Sequence, residues 1–170
     1  FFTGQENVFT QLSEALKTAR SAALSQPHAI HGLGGIGKTQ IVVEYAYRHS
    51  RDYQAILWTL ADTRKSLVLG YVAIAHLLNL PEKDEQDQNK VVKAVLRWLT
   101  AHTEWLLIMD NANDLASVHE FIPPVFGGHL VLTTRAQATS KLANRIEVEC
   151  MSQDLGALFL LRRAKLLASH

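Results

Sequence analysis

The chain has 170 residues, of which 48% are hydrophobic and 19% are charged, so it suits a single folded domain and excludes long disordered stretches. Its 17 lysines and arginines nearly balance its 16 aspartates and glutamates, so its charge gives no reason to expect a nucleic-acid or membrane partner. The longest apolar runs are about six residues, whereas a membrane-spanning helix needs about 20.

The single cysteine, Cys150, excludes an internal disulfide and favours a reducing compartment, so we expect a cytoplasmic protein. The sequence begins at Phe1 without a methionine, and we expect it to be a piece of a longer protein. The absence of a visible signal peptide is therefore no guide to targeting.

Hydrophobic spacing predicts helices that alternate with strands along the whole chain. In the first half, the pattern predicts a helix over residues 7–24, a strand at His28–His31, a helix over 39–47, a strand at Ala55–Leu60 and a helix over 67–80. In the second half, it predicts a polar connector at 82–90, a helix at 91–100, a strand at 105–109, a helix at 114–121, strands at 130–134 and 146–149, and a helix at 154–168.

This alternation indicates an α/β domain of three layers built on a parallel sheet, and ligands of such sheets bind at the carboxyl ends of the strands. The almost continuous apolar run at 105–109 is typical of a strand that is covered on both faces. Gly127-Gly128 predicts a loop. The three tryptophans fall within apolar patterns, and we expect them in the core: Trp58, Trp98 and Trp105.

The strongest motif is the segment Gly32-Leu33-Gly34-Gly35-Ile36-Gly37-Lys38-Thr39, which matches the P-loop pattern G-x-x-x-x-G-K-[ST] in full. Glycines allow the loop to fold into a cradle of backbone N–H groups that point at phosphate oxygens. We expect Lys38, solvent-facing in the empty loop, to reach the β- and γ-phosphates of ATP and Thr39 to offer its hydroxyl to Mg²⁺.

Asp110 ends the apolar strand at 105–109, as the Walker B carboxylate of a P-loop protein does. Downstream of a complete P-loop, this arrangement predicts that Asp110 helps Thr39 to hold Mg²⁺. Arg135 follows the fourth predicted strand, and spacing alone leaves two alternatives open: an arginine that touches the γ-phosphate, or a surface arginine in a weak ion pair.

Other site chemistries find little support in the sequence. His28 and His31 stand two residues apart without further His or Cys ligands beside them, although a zinc site needs three or four ligands. No serine is accompanied by a recognisable pattern of partner His and Asp, so a nucleophilic hydrolase is not indicated.

Together, these segments resemble the nucleotide-binding domain of the NB-ARC class of STAND ATPases, the signalling switches of apoptosis adaptors, plant resistance proteins and many bacterial and fungal sensors. The resemblance rests on the entry motif at residues 2–6, the P-loop at 32–39, the strand segments 56–59, 106–110 and 130–135, and the closing helix at 155–163. It covers essentially the whole chain.

The resemblance implies a P-loop NTPase fold with a five-stranded parallel sheet, in which the strand before Arg135 lies between the P-loop strand and the Walker B strand. It implies that Phe2 and Thr3 lie over the adenine, with Gln5 where the family has arginine. It makes Arg135 a γ-phosphate sensor and gives catalytic roles to Lys38, Asp110 and Arg135. The implied phosphate cradle consists of Gly34, Gly35, Ile36, Gly37, Lys38, Thr39 and Gln40.

The resemblance further implies a switch that binds ATP or ADP with Mg²⁺, works with helical, winged-helix and repeat modules of its own chain, and oligomerises in its ATP state. Family members often carry a second acid just after the Walker B aspartate, but here Asn111 and Asn113 occupy those positions and acid returns at Asp114. An amide orients water but cannot accept its proton, so we expect slow hydrolysis.

The alternatives are a P-loop kinase, for which residues 82–90 lack the arginines of a lid, and a helicase, which the balanced charge disfavours.

Overall fold

In the residues that the computed structural model describes, five parallel strands form one sheet with helices on both faces. The described residues are 5–21, 27–125, 127–136 and 143–164. The helices are α1 (Glu6–Ser21), α2 (Lys38–Arg48), α3 (Arg64–Leu77), α4 (Gln88–Ala101), α5 (Leu115–His119) and α6 (Gln153–Arg163). The strands are β1 (His28–His31), β2 (Ala55–Leu60), β3 (Thr103–Asp110), β4 (Gly127–Thr134) and β5 (Asn144–Glu147).

The strands lie in the order β2-β3-β4-β1-β5, so β4 lies between the P-loop strand β1 and the Walker B strand β3. Two predictions are thereby confirmed, the five-stranded parallel sheet and the central position of the strand that precedes Arg135. Because all the strands are parallel, the ends of β1, β3 and β4 meet at one edge of the sheet.

Two hydrophobic clusters hold the three layers together. One lies between the sheet and α1 and α2, and the other lies between the sheet and α3, α4 and α5. Side chains of β3 alternate between the clusters, since Leu106 and Ile108 join the first whereas Leu107 and Met109 join the second. Burial on both faces explains the unbroken apolar run of this strand. Within the described ranges, no helix is long and apolar enough to cross a membrane.

The expected loop at Gly127-Gly128 is wrong, because both glycines belong to β4. A Cβ at Gly128 would lie 2.2 Å from the Trp105 ring, so the glycine makes room for a tryptophan on the neighbouring strand. The core position expected for Trp58 is also wrong, since 37% of this residue is exposed. Trp58 lies on β2 at the edge of the sheet, where only one neighbouring strand covers it. Trp105 is buried as expected and Trp98 is half-buried.

Several element boundaries differ from the predicted ones because capping side chains set them. Thr63 accepts the Ser66 N–H, so α3 begins three residues early, at Arg64. Asp87 accepts the Asn89 N–H, so residues 88–90 of the expected connector belong to α4. Pairing with β1 fixes β5 at Asn144–Glu147, two residues before the expected range. Residues 22–24 of the first predicted helix and 165–168 of the last lie outside the described residues.

His28 is a buried histidine whose protonation is expected to oppose folding. It is 4% exposed, and neither ring nitrogen has a hydrogen-bond partner in the part of the chain that the structure describes. Burial lowers the pKa of His28 from its ordinary value of 6.5, since the charged form is poorly solvated there. The unfolded chain therefore binds the proton more tightly than the folded chain does.

We expect the free energy of unfolding to fall as the pH drops below about 6.5 toward the folded-state pKa, by at most about 1.4 kcal/mol per pH unit for this one group. Urea unfolding at pH 7.5 and pH 5.5 checks this, with His28→Leu as the variant that cannot take up the proton. The decrease in the free energy of unfolding between the two pH values should be larger in the wild type than in the variant. Equal losses would show that His28 does not carry the effect.

Candidate functional site

An open cleft of about 610 Å³ lies at the edge of the sheet where β1, β2, β3 and β4 end. Every P-loop residue expected to bind phosphate lines it, together with side chains that follow β3 and β4. The lining residues are Gly34, Gly35, Ile36, Gly37, Lys38, Thr39, Gln40, Leu60, Asp110, Asn111, Thr133 and Arg135. The fold thus brings Lys38, Thr39, Asp110 and Arg135 to one place although they span almost 100 residues of sequence.

The loop between β1 and α2 is shaped to receive an anion. Gly35 and Gly37 have φ angles of 76° and 101°, in the left-handed region that favours glycine. A Cβ at either position would meet no atom within 4 Å, so the cradle is open. Gly37 caps α2 without a side-chain hydrogen bond, which leaves first-turn N–H groups and the positive end of the helix dipole to a ligand.

Lys38 is not solvent-facing as expected but buried, with 9% of the residue exposed. Its ammonium donates hydrogen bonds of 2.8 Å to the carbonyl oxygens of Gly32 and Leu33. The physical reason is that the ammonium, which can only donate, bonds to the nearest acceptors, and these are the loop's own carbonyls. Burial lowers the pKa of Lys38, the positive charge of Arg135 lowers it further, and Asp110 opposes both.

Thr39 and Asp110 place a hydroxyl and a carboxylate side by side next to the cradle. The Thr39 hydroxyl donates to Asp110 Oδ1 over 2.9 Å, and the Thr133 hydroxyl donates to the same oxygen. A hydroxyl and a carboxylate held together fit Mg²⁺, which prefers oxygen ligands. Sequence reasoning missed Thr133. The register of β3 and β4 makes it a neighbour of Asp110, because Met109 pairs with Leu132 and the next residues are Asp110 and Thr133.

Arg135 lies over the P-loop. A Cβ at Gly34 would be 3.7 Å from Arg135 Cδ and 3.8 Å from one of its guanidinium nitrogens. The backbone N–H of Arg135 donates to Asn113 Oδ1 over 3.1 Å, so the loops after β3 and β4 are joined. The side chain is thus placed at the cleft, where the cradle, Lys38 and Arg135 together form a cationic surface.

Asp114 does not replace the missing second acid at the cleft. Its carboxylate accepts the N–H groups of Ala116 and Ser117 and the Ser117 hydroxyl, so it caps α5. These hydrogen bonds lower the pKa of Asp114, and the one from the Ser117 hydroxyl has the largest effect. Asn111, by contrast, lines the cleft.

The expected adenine contacts Phe2 and Thr3 lie outside the described residues. Gln5, next to them, is buried and donates from Nε2 to the Glu149 carbonyl over 3.0 Å. It lines a second cleft of about 430 Å³ between α1 and the residues after β5.

Across residues 5–21, 27–125, 127–136 and 143–164, no group of three or more His, Cys, Asp or Glu side chains is placed to hold a metal ion.

Curated proteins similar to this chain are much longer than it is. The chain is 31% identical over 154 residues to a nucleotide-binding leucine-rich repeat (NLR)-like protein of Hyaloscypha variabilis, a match that covers 79% of this chain and 16% of that protein. It is 26% identical over 161 residues to the regulatory protein AfsR of Streptomyces griseus, with coverages of 90% and 16%. The chain therefore spans about a sixth of each relative's length.

Solved structures and a family model agree on the fold. Cdc6p from Pyrobaculum aerophilum matches with a TM-score of 0.71 and 17% identity over 97% of this chain and 50% of its own chain, so the two chains share a fold. The model described as the NB-ARC domain matches residues 5–164, nearly the whole chain. The chain therefore belongs to the NB-ARC family and is a nucleotide-binding P-loop domain.

Proposed function

We propose that this chain is the ATP- or ADP-Mg²⁺-binding module of a STAND signalling switch in a cytoplasmic protein. In this proposal, the bound nucleotide controls the conformation of the longer protein and its assembly with further copies, and slow hydrolysis resets the switch. The observation that carries it is the single cleft in which an open P-loop, the Thr39–Asp110 pair and Arg135 meet while amides stand where a second acid is usual.

Each residue of the cleft has a role in this proposal. Backbone N–H groups of the loop from Gly34 to Gln40 bind the phosphates, and Lys38 leaves the Gly32 and Leu33 carbonyls to neutralise them. Thr39 and Asp110 hold Mg²⁺, which bridges phosphate oxygens and screens their charge. Arg135 contacts the γ-phosphate, and Phe2 and Thr3 contact the adenine. The names of the two relatives, an NLR-like and a regulatory protein, support a role in regulation.

The proposal is tested by measuring nucleotide retention and turnover on the same preparation. We expect ATP and ADP to bind with Mg²⁺ and steady-state phosphate release to stay far below the roughly 10 s⁻¹ typical of dedicated enzymes. Nucleotide binding together with phosphate release as fast as that of a dedicated enzyme would contradict the switch. Transfer of phosphate to a small acceptor would favour a P-loop kinase, and a failure to bind either nucleotide would contradict the whole proposal.

Asp110→Asn is expected to reduce the effect of Mg²⁺ on ATP affinity more than it reduces the affinity measured without Mg²⁺. The carboxylate acts through the ion, and an amide keeps the size of the side chain but loses the charge. Calorimetric titrations with Mg²⁺ and with EDTA measure the two affinities, and Asp62→Asn, an exposed aspartate between β2 and α3, is the matched control. Equal weakening in both conditions would make Asp110 a structural residue.

Arg135→Ala is expected to weaken ATP binding by about 10-fold or more relative to ADP binding, because only ATP carries the phosphate that the guanidinium would contact. A hydrogen bond to a charged group is worth about 1.5–3 kcal/mol. The backbone N–H that bonds to Asn113 is retained in the variant. Titrations with ADP and a non-hydrolysable ATP analogue compare the two, with the exposed Arg51→Ala as control. An equal loss for both nucleotides would contradict the sensor role.

A further inference from the structure

A chain of hydrogen bonds joins the loop after β3 to the loop after β4 beside the cleft. Asn113 Oδ1 accepts the backbone N–H of Arg135 over 3.1 Å, and Asn113 Nδ2 donates to Asn111 Oδ1 over 2.8 Å. A backbone N–H has only a donor role, so it fixes the Asn113 amide with its oxygen toward Arg135. The nitrogen of the same amide must then face Asn111.

The orientation of Asn113 determines the orientation of Asn111. Since Asn113 offers a donor, Asn111 presents its Oδ1 there, and its Nδ2 points to the opposite side of the Cβ–Cγ bond. The backbone of Asn111 is held as well, with a φ of 65° and its N–H donated to Thr133 Oγ1 over 2.9 Å. Asn111 lines the cleft, and its Oδ1 is already bonded to Asn113, so Nδ2 is the polar atom of this side chain without a hydrogen bond among the described residues.

A donor at this position does not activate the attacking water. In ATP hydrolysis, the water oxygen bonds to the γ-phosphorus, the bond from that phosphorus to the β–γ bridging oxygen breaks, and that oxygen leaves on ADP with the electron pair. The attacking water loses a proton to a phosphate oxygen or to solvent unless a nearby base takes it. An N–H group can neither take that proton nor accept a hydrogen bond from the attacking water.

We propose that Asn113 is a positioning residue that clamps the Asn111 amide with its donor toward the nucleotide and thereby slows hydrolysis. The clamp rests on the proposed nucleotide site and adds to it a specific cause of slow turnover. The clamp also links the rate of hydrolysis to Arg135, the proposed γ-phosphate sensor, because Asn113 Oδ1 accepts the backbone N–H of Arg135.

Three variants separate the parts of this clamp. N113D keeps an acceptor for the Arg135 N–H but turns its second oxygen to Asn111, whose amide must rotate and direct Oδ1 away from position 113. N113A removes the clamp, and N111D places a carboxylate at the cleft directly. N111D and N113D add the same charge two residues apart, so each controls for the charge effect of the other.

The first measurement needs no nucleotide. Amide hydrogen exchange at Arg135 should become faster in N113A and stay slow in N113D, which retains an acceptor. Unchanged exchange in N113A would show that the clamp is absent in solution and would overturn the proposal. Hydrogen exchange at Arg135 tests the clamp separately from the proposed function, because the measurement gives its result even if the domain binds no nucleotide.

The second measurement is phosphate release at saturating ATP and Mg²⁺. We expect kcat to rise by about 100-fold or more in N111D, within the range of a positioned acid–base group, and by a smaller factor in N113D. Thermal midpoints should stay close to that of the wild type, which separates a change in orientation from a loss of structure. A kcat in N111D no higher than in the wild type, or equal increases in both variants, would overturn the proposal.

Discussion

Lys38→Ala is expected to weaken the binding of both ATP and ADP by about 10- to 150-fold, which corresponds to a charge-assisted contact of about 1.5–3 kcal/mol. Both nucleotides carry the β-phosphate that the ammonium would neutralise, so both should lose affinity. Isothermal titration calorimetry with Mg²⁺ measures the change. Lys93→Ala removes an exposed lysine on α4 and should leave both affinities unchanged.

The buried position of Lys38 adds a requirement to this experiment. The substitution leaves the carbonyl oxygens of Gly32 and Leu33 without the ammonium to which they are bonded, so the loop itself is altered. Lys38→Met is the second variant, because methionine retains the apolar stem without the charge. Both variants should unfold cooperatively near the wild-type temperature. Wild-type affinity in either folded variant would remove Lys38 from the site.

Gly128→Ala is expected to reduce the free energy of unfolding by at least about 3 kcal/mol, the upper end of the usual cost of overpacking. The new Cβ would lie 2.2–2.6 Å from three ring atoms of Trp105, far inside contact distance. The ring has no room to shift, since Trp105 is fully buried and its Nε1 donates to the carbonyl oxygens of Leu99 and His102 over 3.0 and 2.9 Å.

Thermal unfolding followed by tryptophan fluorescence should show a midpoint about 6–12 °C lower in Gly128→Ala. Gly156→Ala is the matched control, because a Cβ there would meet no atom within 4 Å and Gly156 lies within α6. Alanine favours a helix over glycine by up to about 1 kcal/mol, so the control should be neutral or slightly stabilising. A Gly128→Ala variant as stable as the wild type would contradict the packing against Trp105.

The sequence by itself determined the parts of this protein that depend on local patterns. Alternating hydrophobic periods gave the order of helices and strands, and the uninterrupted apolar residues of β3 predicted a strand covered on both faces. The P-loop pattern predicted the phosphate cradle and its position before a helix, because glycine conformations and helix dipoles are properties of a few consecutive residues. Capping residues such as Thr63 and Asp87 were present in the sequence and could have corrected the ends of α3 and α4.

Only the tertiary structure decided which distant groups meet. Gly128 looked like a loop residue because a glycine in a strand has no local signal for the tryptophan that it accommodates on the next strand. The surroundings of Lys38 could not be read from its own motif, because the pKa of its ammonium depends on burial and on Arg135 and Asp110, which lie far away in sequence. The clamp of Asn113 likewise requires β3 and β4 to be neighbours, since the donor that orients its amide lies 22 residues further along the chain. Hydrogen-bond orientation and close packing act over a few ångströms in space, and the order of strands in the sheet sets those distances.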